Sequence, residues 1–457
     1  MDTGKKFEAS AKVPVSLFRK LLHRGARANV AKILSKAYPV DVARLLSSLG
    51  SSERAHSFSI LMEECEHAHA AAVLTEMETA ESVALLETLA PKQIARLLGE
   101  MADDDATLLA SRLEDPLASE VLAEMEAEPA ADVRELLEHE ERTAGRMMTR
   151  DFFALDEDLT VAEAVTALQR RSEEFEMVLY VYVVDKRNHL VGVVSLRQLL
   201  ITPPATQLKR IMSPNVISAK TTTDQEEVAR LVAEYNLLAI PIVDDEDKLV
   251  GIVTVDDALD VAQEEVAEDL MALAGVATEE HLSTSALRSL RLRLPWLLVN
   301  LVTAFLAATV ISLFEDQIKI KPALAALMPI VAGMGGNAAT QTLTILIRGI
   351  ALGELTAFGR VFLKSIAVGA GIGIINGLAA STVAALYYQN FWLGVVLASA
   401  MFINMIVAGI AGTLIPVVLR RLHIDPAVAS SVFVTTCTDV CGFFSFLGIA
   451  TLLMRLL

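Results

Sequence analysis

The chain has 457 residues, 53% of them hydrophobic, with a mean hydropathy of +0.47 and a formal net charge of −18. That length and apolarity exclude a single soluble domain. The acidic balance excludes the basic surface that nucleic-acid phosphates require, so no nucleic-acid partner is expected. The charge is also unevenly placed. From Arg291 onward there are 10 basic and 5 acidic residues, against 29 basic and 52 acidic before it. The N-terminus, MDTGKKFEASAKV, lacks the apolar core of a secretory signal, so the acidic part is expected to stay in the cytoplasm.

Residues 1–145 carry an apolar signature that recurs as ARLLSSL from Ala43, AAVLTEM from Ala71, ARLLGEM from Ala95 and SEVLAEM from Ser119. Helical periodicity at this spacing predicts stacked helix pairs, an α-helical superhelix. Asp103, Asp104 and Asp105 fall between repeats; taken alone, such a run reads as a solvated turn or helix start.

A second repeat occupies 146–262, in copies of about 146–205 and 206–262. Each begins MMT or IMS and continues through a helix and two strands to a closing helix. The match is clearest between LYVYVVDKRNHLVGVVSLRQLL from Leu179 and LLAIPIVDDEDKLVGIVTVDDAL from Leu237. Alternating Val and Ile runs around a polar turn mark paired strands. This part resembles a tandem CBS α/β pair. Such pairs often bind adenosine nucleotides, and ATP at the pair stays an open reading.

Residues 263–294 lead into the apolar part and end in the basic Arg288, Arg291 and Arg293. A five-helix transmembrane domain follows at 295–457. Its candidate spans, 296–314, 323–347, 361–388, 393–419 and 426–454, are long enough to cross a bilayer. The basic connections 290–295, 348–364 and 420–423 are assigned to the cytoplasm by the positive-inside rule. Five crossings then place the C-terminus outside. Pro329 and GMGGN, residues 333–337, interrupt the helical pattern of the second span, which either frees backbone carbonyls toward a cavity or lets helices pack closely. Asn337, Thr340 and Gln341 add oxygens there, and Asn376 and Asn404 are further polar residues within spans.

The fifth span contains one charged residue, Asp439. A carboxylate at membrane depth costs roughly 2.5–3.5 kcal/mol on insertion scales, so it faces a bundle interior or a water-filled path. An acid there attracts cations. Cys437 and Cys441 flank it at helical spacing and read as small packing residues; with Cys65 they form neither a disulfide framework nor a zinc set. No phosphate-binding loop for nucleotide hydrolysis is present, and no nucleophile–base or metalloprotease constellation lies in the spans, so no enzyme is expected.

The order of these parts, with TVDDALDV from Thr254, EEVAEDL from Glu264, PIVAGMGGN from Pro329, RRLHIDPA from Arg420 and TDVCGFF from Thr438, resembles the MgtE family of magnesium channels. The resemblance implies a homodimer in the cell's inner membrane, with its pore on the dimer axis and one amphipathic linker helix over residues 263–294. Asp439 is then the pore acid, holding Mg2+ through its water shell, beside the pore-lining candidates Gly335, Gly336 and Asn337. It further implies that cytosolic Mg2+ closes the pore by bridging Asp104, Glu226, Asp257, Asp260, Glu268, Asp269 and Asp425. Ala72 and Asn236 stand where the family often has acids, which implies weaker cytosolic Mg2+ sensing. The competing readings are a transporter of Co2+, Ni2+ or Mn2+, and a membrane-anchored CBS sensor without transport.

Overall fold

A computed structural model describes residues 14–170, 178, 180–277, 280, 284–351, 357–422 and 426–457. The chain divides into two compact units, Met1–Ala262 and Gln263–Leu457.

The first unit opens with ten short helices: α1 (Val15–His23), α2 (Arg27–Leu34), α3 (Pro39–Ser47), α4 (Ser51–Glu64), α5 (His67–Thr75), α6 (Thr79–Leu86), α7 (Pro91–Leu98), α8 (Asp103–Arg112), α9 (Asp115–Glu124) and α10 (Ala127–Glu138). The recurring signature falls on α3, α5, α7 and α9, which stack in succession, while α6, α8 and α10 stack as a second layer. Signature residues Ala43, Leu46, Ala71, Leu74, Ala95 and Leu98 are all buried in one continuous core. A single helix of roughly two to three turns cannot bury such a face alone, so the repeats are stable only as a stack.

After the short α11 (Ala144–Met147), two three-stranded sheets repeat one plan. The first holds β1 (Ala154–Asp156), β2 (Tyr180–Val184) and β3 (Leu190–Ser195), with α12 (Val161–Arg170) between its first two strands and α13 (Leu196–Ile201) closing it. The second holds β4 (Ala219–Lys220), β5 (Ala239–Val243) and β6 (Leu249–Thr254), with α14 (Gln225–Tyr235) between β4 and β5. In both, the first pair is parallel and the second antiparallel, with a register shift at the same place, Val183/Val184 and Ile242/Val243. The hairpin turns also match: Asp185 accepts from the N–H groups of Arg187 and His189, and Asp244 from those of Glu246 and Lys248.

The copies exchange their leading segments. Met148 packs where a side chain on Gly251 would stand, and Met212 where one on Gly192 would. Thr149 pairs with Ile252 and Ser213 with Val193. Reciprocal bonds, Leu190 N–H to the Asp247 carbonyl and Leu249 N–H to that of Asn188, both 3.1 Å, relate the halves by a local twofold.

Helix α15 (Val255–Leu273) leaves β6 and ends near Gly275, at φ +69°. The linker is therefore not one helix to Leu294. Residues 286–294 instead begin α16 (Ala286–Ser312), because their apolar positions continue the helical pattern of the first span and Pro295 is accommodated inside it. The short α17 (Glu315–Ile320) precedes four long helices: α18 (Ala323–Ala351), α19 (Phe358–Tyr388), α20 (Phe391–Arg421) and α21 (Pro426–Leu452). Among the described residues, five helices are long and apolar enough to cross a membrane.

The expected interruption at Pro329 and GMGGN does not occur: α18 is continuous. Within it, Gly335 serves close approach to α20 rather than unwinding. The same device joins α19 to α20, where side chains on Gly369 and Gly373 would stand 2.4 Å from the Met405 carbonyl oxygen and 2.9 Å from Phe402 Cα. Without a hydrophobic drive between helices in lipid, such small residues let backbones pack directly.

Candidate ion path and acidic cluster

Within the second unit, α18, α20 and α21 pack on one another. One face of α18 is nevertheless open: Gly333, Asn337, Thr340, Gln341, Thr344 and Arg348 are all exposed. Their spacing of three and four residues makes them one polar stripe. A protomer surrounded by lipid leaves such a stripe unsolvated, so it requires water or a partner surface. The hydroxyls of Thr340 and Thr344 donate to the carbonyls of Gly336 and Thr340, which leaves their oxygen lone pairs free to accept.

Asp439 borders this face. It lies half-buried on α21, one turn beyond Thr435, whose methyl group is 3.9 Å from where a side chain on Gly336 would stand. Among the described residues no ion pair or hydrogen bond reaches its carboxylate. Gly335 is buried against Asn404 of α20, whereas Gly336 and Asn337 lie progressively toward the open face. Of the three pore-lining candidates, then, Gly336 and Asn337 border the exposed stripe and Gly335 is a packing contact.

In the first unit, the acids at the start of α8 meet those at the start of α15. Burial pushes the Asp104 carboxyl well above its ordinary range, and the charges of Asp257 and Asp105 push it further. One of its oxygens, Oδ1, is buried with no hydrogen-bond partner among the described residues. Asp105 is raised to about 6 by burial and by Asp257, with Asp256 and Asp260 adding and a Thr75 hydrogen bond opposing. Asp257 is raised by burial and by Asp256 and Asp260, against a hydrogen bond donated by the Thr254 hydroxyl. Asp260 is exposed at the rim. Two helix N-termini help to hold these charges, yet like charges at close quarters destabilise the contact until a cation or proton neutralises them.

Sequence reasoning missed Asp105 and Asp256 as members of this cluster. The doublet in TVDDAL and the run of three aspartates were the available signals. Glu226 sits exposed in the first turn of α14, behind the Asp224 cap. Glu268 and Asp269 are half-buried near the far end of α15. Asp425 lies outside the described residues. Ala72 is half-buried on α5, and Asn236 is the left-handed C-cap of α14 at φ +51°, a conformation asparagine tolerates. Among the described residues no three His, Cys, Asp or Glu side chains converge closely enough to hold a metal ion by themselves.

The cluster gives a pH dependence of known sign. A carboxyl whose folded pKa is raised contributes stability that is complete below its unfolded value and lost as pH rises through the folded one. For Asp105 that window runs from about pH 4 to about 6. In a chelator, thermal unfolding of the soluble unit in the full chain is expected to move to higher temperature as pH falls from 7.5 to 5, and added divalent cation is expected to abolish most of that difference. Asp185, held down to about 2 by the His189 hydrogen bond, titrates below this window.

The far end of α15 enters the helical bundle. Ala272 and Leu273 pack against Leu343 and Ile347 of α18. A side chain on Gly275 would stand 2.4 Å from Trp296 Nε1, and Arg293 donates to both carboxylate oxygens of Glu280 at 2.8 and 2.9 Å. Apolar contact and a bidentate ion pair thus fasten the linker to α16 and α18. Neither was legible from sequence, since each joins residues far apart in the chain.

At the opposite end of the bundle, Lys321 Nζ and Asn390 Nδ2 both donate to the Leu457 carbonyl, the latter at 2.8 Å. The turn after α17, the turn before α20 and the C-terminus therefore meet.

Three family profiles match in order: "MgtE intracellular N domain" at 37–142, "CBS domain" at 144–202 and 208–264, and "MgtE: Divalent cation transporter" at 328–449. The magnesium transporter MgtE of Enterococcus faecalis is 39% identical over 325 residues, covering 71% of this chain and 72% of that protein. That of Thermus thermophilus is 37% identical over 332 residues, covering 71% and 72%. A crystal structure of the cytosolic domain of the Mg2+ channel MgtE in complex with ATP superposes with a TM-score of 0.51 at 35% identity, covering 54% of this chain and 100% of that one.

Proposed function

Because the chain belongs to the MgtE family of divalent cation transporters, we propose that it is a magnesium channel that admits Mg2+ to the cytoplasm and closes when cytosolic Mg2+ binds its acidic domains. The observation that carries this reading is the open polar stripe of α18 beside Asp439. Two copies related by a twofold axis would turn these stripes toward each other, giving a wet path with a carboxylate from each side. Mg2+ dehydrates reluctantly and takes one or two carboxylates with its remaining waters. Side-chain oxygens along the exposed face of α18, from Asn337, Thr340, Gln341 and Thr344, supply acceptors for those waters.

Closure follows from the cluster's repulsion. The orphaned Asp104 oxygen, with the Asp257 charge close to it, offers a hard divalent ion a carboxylate from each of two helices, water completing its shell. Binding would neutralise the contact between the helical repeats and the CBS pair. Asp257 and Asp260 lie on the same helix that ends against α18, so a change at one end has a covalent route to the ion path. Glu226, Glu268, Asp269 and Asp425 are proposed as further ligands of this regulatory set. The domain limits proposed are 1–145, 146–262, 263–294 and 295–457. ATP is proposed to bind the CBS pair, supported by the likeness to the ATP-bound cytosolic domain.

The protein is placed in the cell's inner membrane with its acidic domains cytoplasmic. The meeting of the C-terminus with two connections between spans that carry no net positive charge supports an outside C-terminus.

Pairing of the stripes is tested by Asn337→Cys in a chain with Cys65, Cys437 and Cys441 replaced by Ala. Oxidation in membranes is expected to produce a disulfide-linked dimer through α18. A chain that stays monomeric, while an exposed cysteine on the lipid face behaves the same, contradicts a path shared by two copies.

A further inference from the structure

Asn404 lies in the middle of α20 and is fully buried. Its Nδ2 donates to the Val331 carbonyl of α18 at 2.9 Å. Its Oδ1 is buried and, among the described residues, has no hydrogen-bond partner. An unpaired amide oxygen is costly in an apolar interior, and an apolar side chain of similar size would avoid that cost. Features that break a packing rule in this way concentrate at functional sites.

Two glycines make room for the amide. A side chain on Gly335 of α18 would stand 2.1 Å from Nδ2, and one on Gly442 of α21 would stand 2.7 Å from it. Gly335 immediately precedes Gly336 and Asn337, and Gly442 lies three residues beyond Asp439. One buried amide therefore touches both backbones that border the ion path, within a turn of the residues that face it.

We propose that Asn404 is a positioning residue for ion discrimination, holding α18 and α21 at the separation that fits a small hydrated divalent ion between the Gly336–Asn337 face and the Asp439 carboxylate. It does not touch the ion. Its hydrogen bond to Val331 holds α18, and its wedge between two glycines fixes the height of α21 against it. The proposal rests on the magnesium-channel reading given above.

The test uses full-length protein in proteoliposomes, with Mg2+ and Ca2+ fluxes measured in parallel. Asn404→Leu keeps the volume and removes the amide. It is expected to assemble and melt like wild type while its Mg2+/Ca2+ flux ratio falls about tenfold, as for loss of a group that orients a metal site from behind. Gly335→Ala alone is expected to misassemble, because its methyl group meets Nδ2. Adding Asn404→Ala should restore assembly but not the ratio, which provides a folded variant should Asn404→Leu fail. A wild-type ratio in either assembled variant overturns the proposal, and failure of both to assemble makes Asn404 a packing residue only. Absence of Mg2+ flux from wild type would defeat the channel reading itself, and this proposal with it.

Discussion

Asp439→Ala is expected to reduce Mg2+ uptake by the reconstituted chain to that of empty liposomes, at matched protein incorporation. The argument is one of cost and placement. A lone carboxylate in a span costs a few kcal/mol to insert, yet this one has no ion pair or hydrogen bond among the described residues and borders the open face of α18. Truncation should therefore leave folding intact or improve it while removing the charge that attracts the cation. Asp439→Asn keeps the shape and is expected to retain only a small part of the flux. Undiminished flux from Asp439→Ala would make the residue structural and shift the ion path toward Asn337. A membrane-anchored sensor without transport would tolerate the change without consequence.

The second large effect is expected from Asp104→Asn combined with Asp257→Asn. These carboxyls repel across the contact between helical repeats and CBS pair, and burial sharpens the repulsion. Neutralising them should make the soluble unit more stable than wild type in a chelator, because the repulsion is gone. It should also weaken the response to Mg2+ by about tenfold to a hundredfold, because the ligands are gone. Both are read from thermal unfolding of the full chain titrated with Mg2+, and the second from flux against Mg2+ on the domain side. A variant less stable in chelator, with an unchanged Mg2+ midpoint, would show that these acids do not form the sensor. Asn236→Asp, which adds an acid at the α14 cap, is expected to shift the midpoint the opposite way.

Those features of the fold that repeat locally were legible in the sequence. The signature at Ala43, Ala71, Ala95 and Ser119 falls on four helices that stack, because each repeat encodes its own buried face. The L-V-G-[VI]-V segments form β3 and β6 with the same register shift. What was not legible depends on contacts between distant residues. Pro329 and its glycines look like a break when read alone, but neighbouring helices keep α18 continuous and use Gly335 to admit Asn404. The end of α15 at Gly275 is set by Trp296, twenty-one residues on. The exchange of Met148 and Met212 between CBS copies likewise appears only once both sheets are formed. In the site, Asp439 stands out because charge is rare in a span, whereas Asp105 and Asp256 are hidden by ordinary acidic turns.

The most direct test of the central claim is Mg2+ entry into proteoliposomes containing the full chain, followed with an entrapped Mg2+ indicator while a membrane potential is imposed. Free Mg2+ on the side of the acidic domains is held low at the start. The account predicts entry that follows the potential and stops as Mg2+ accumulates on that side. Entry no faster than into empty liposomes under those conditions would contradict it.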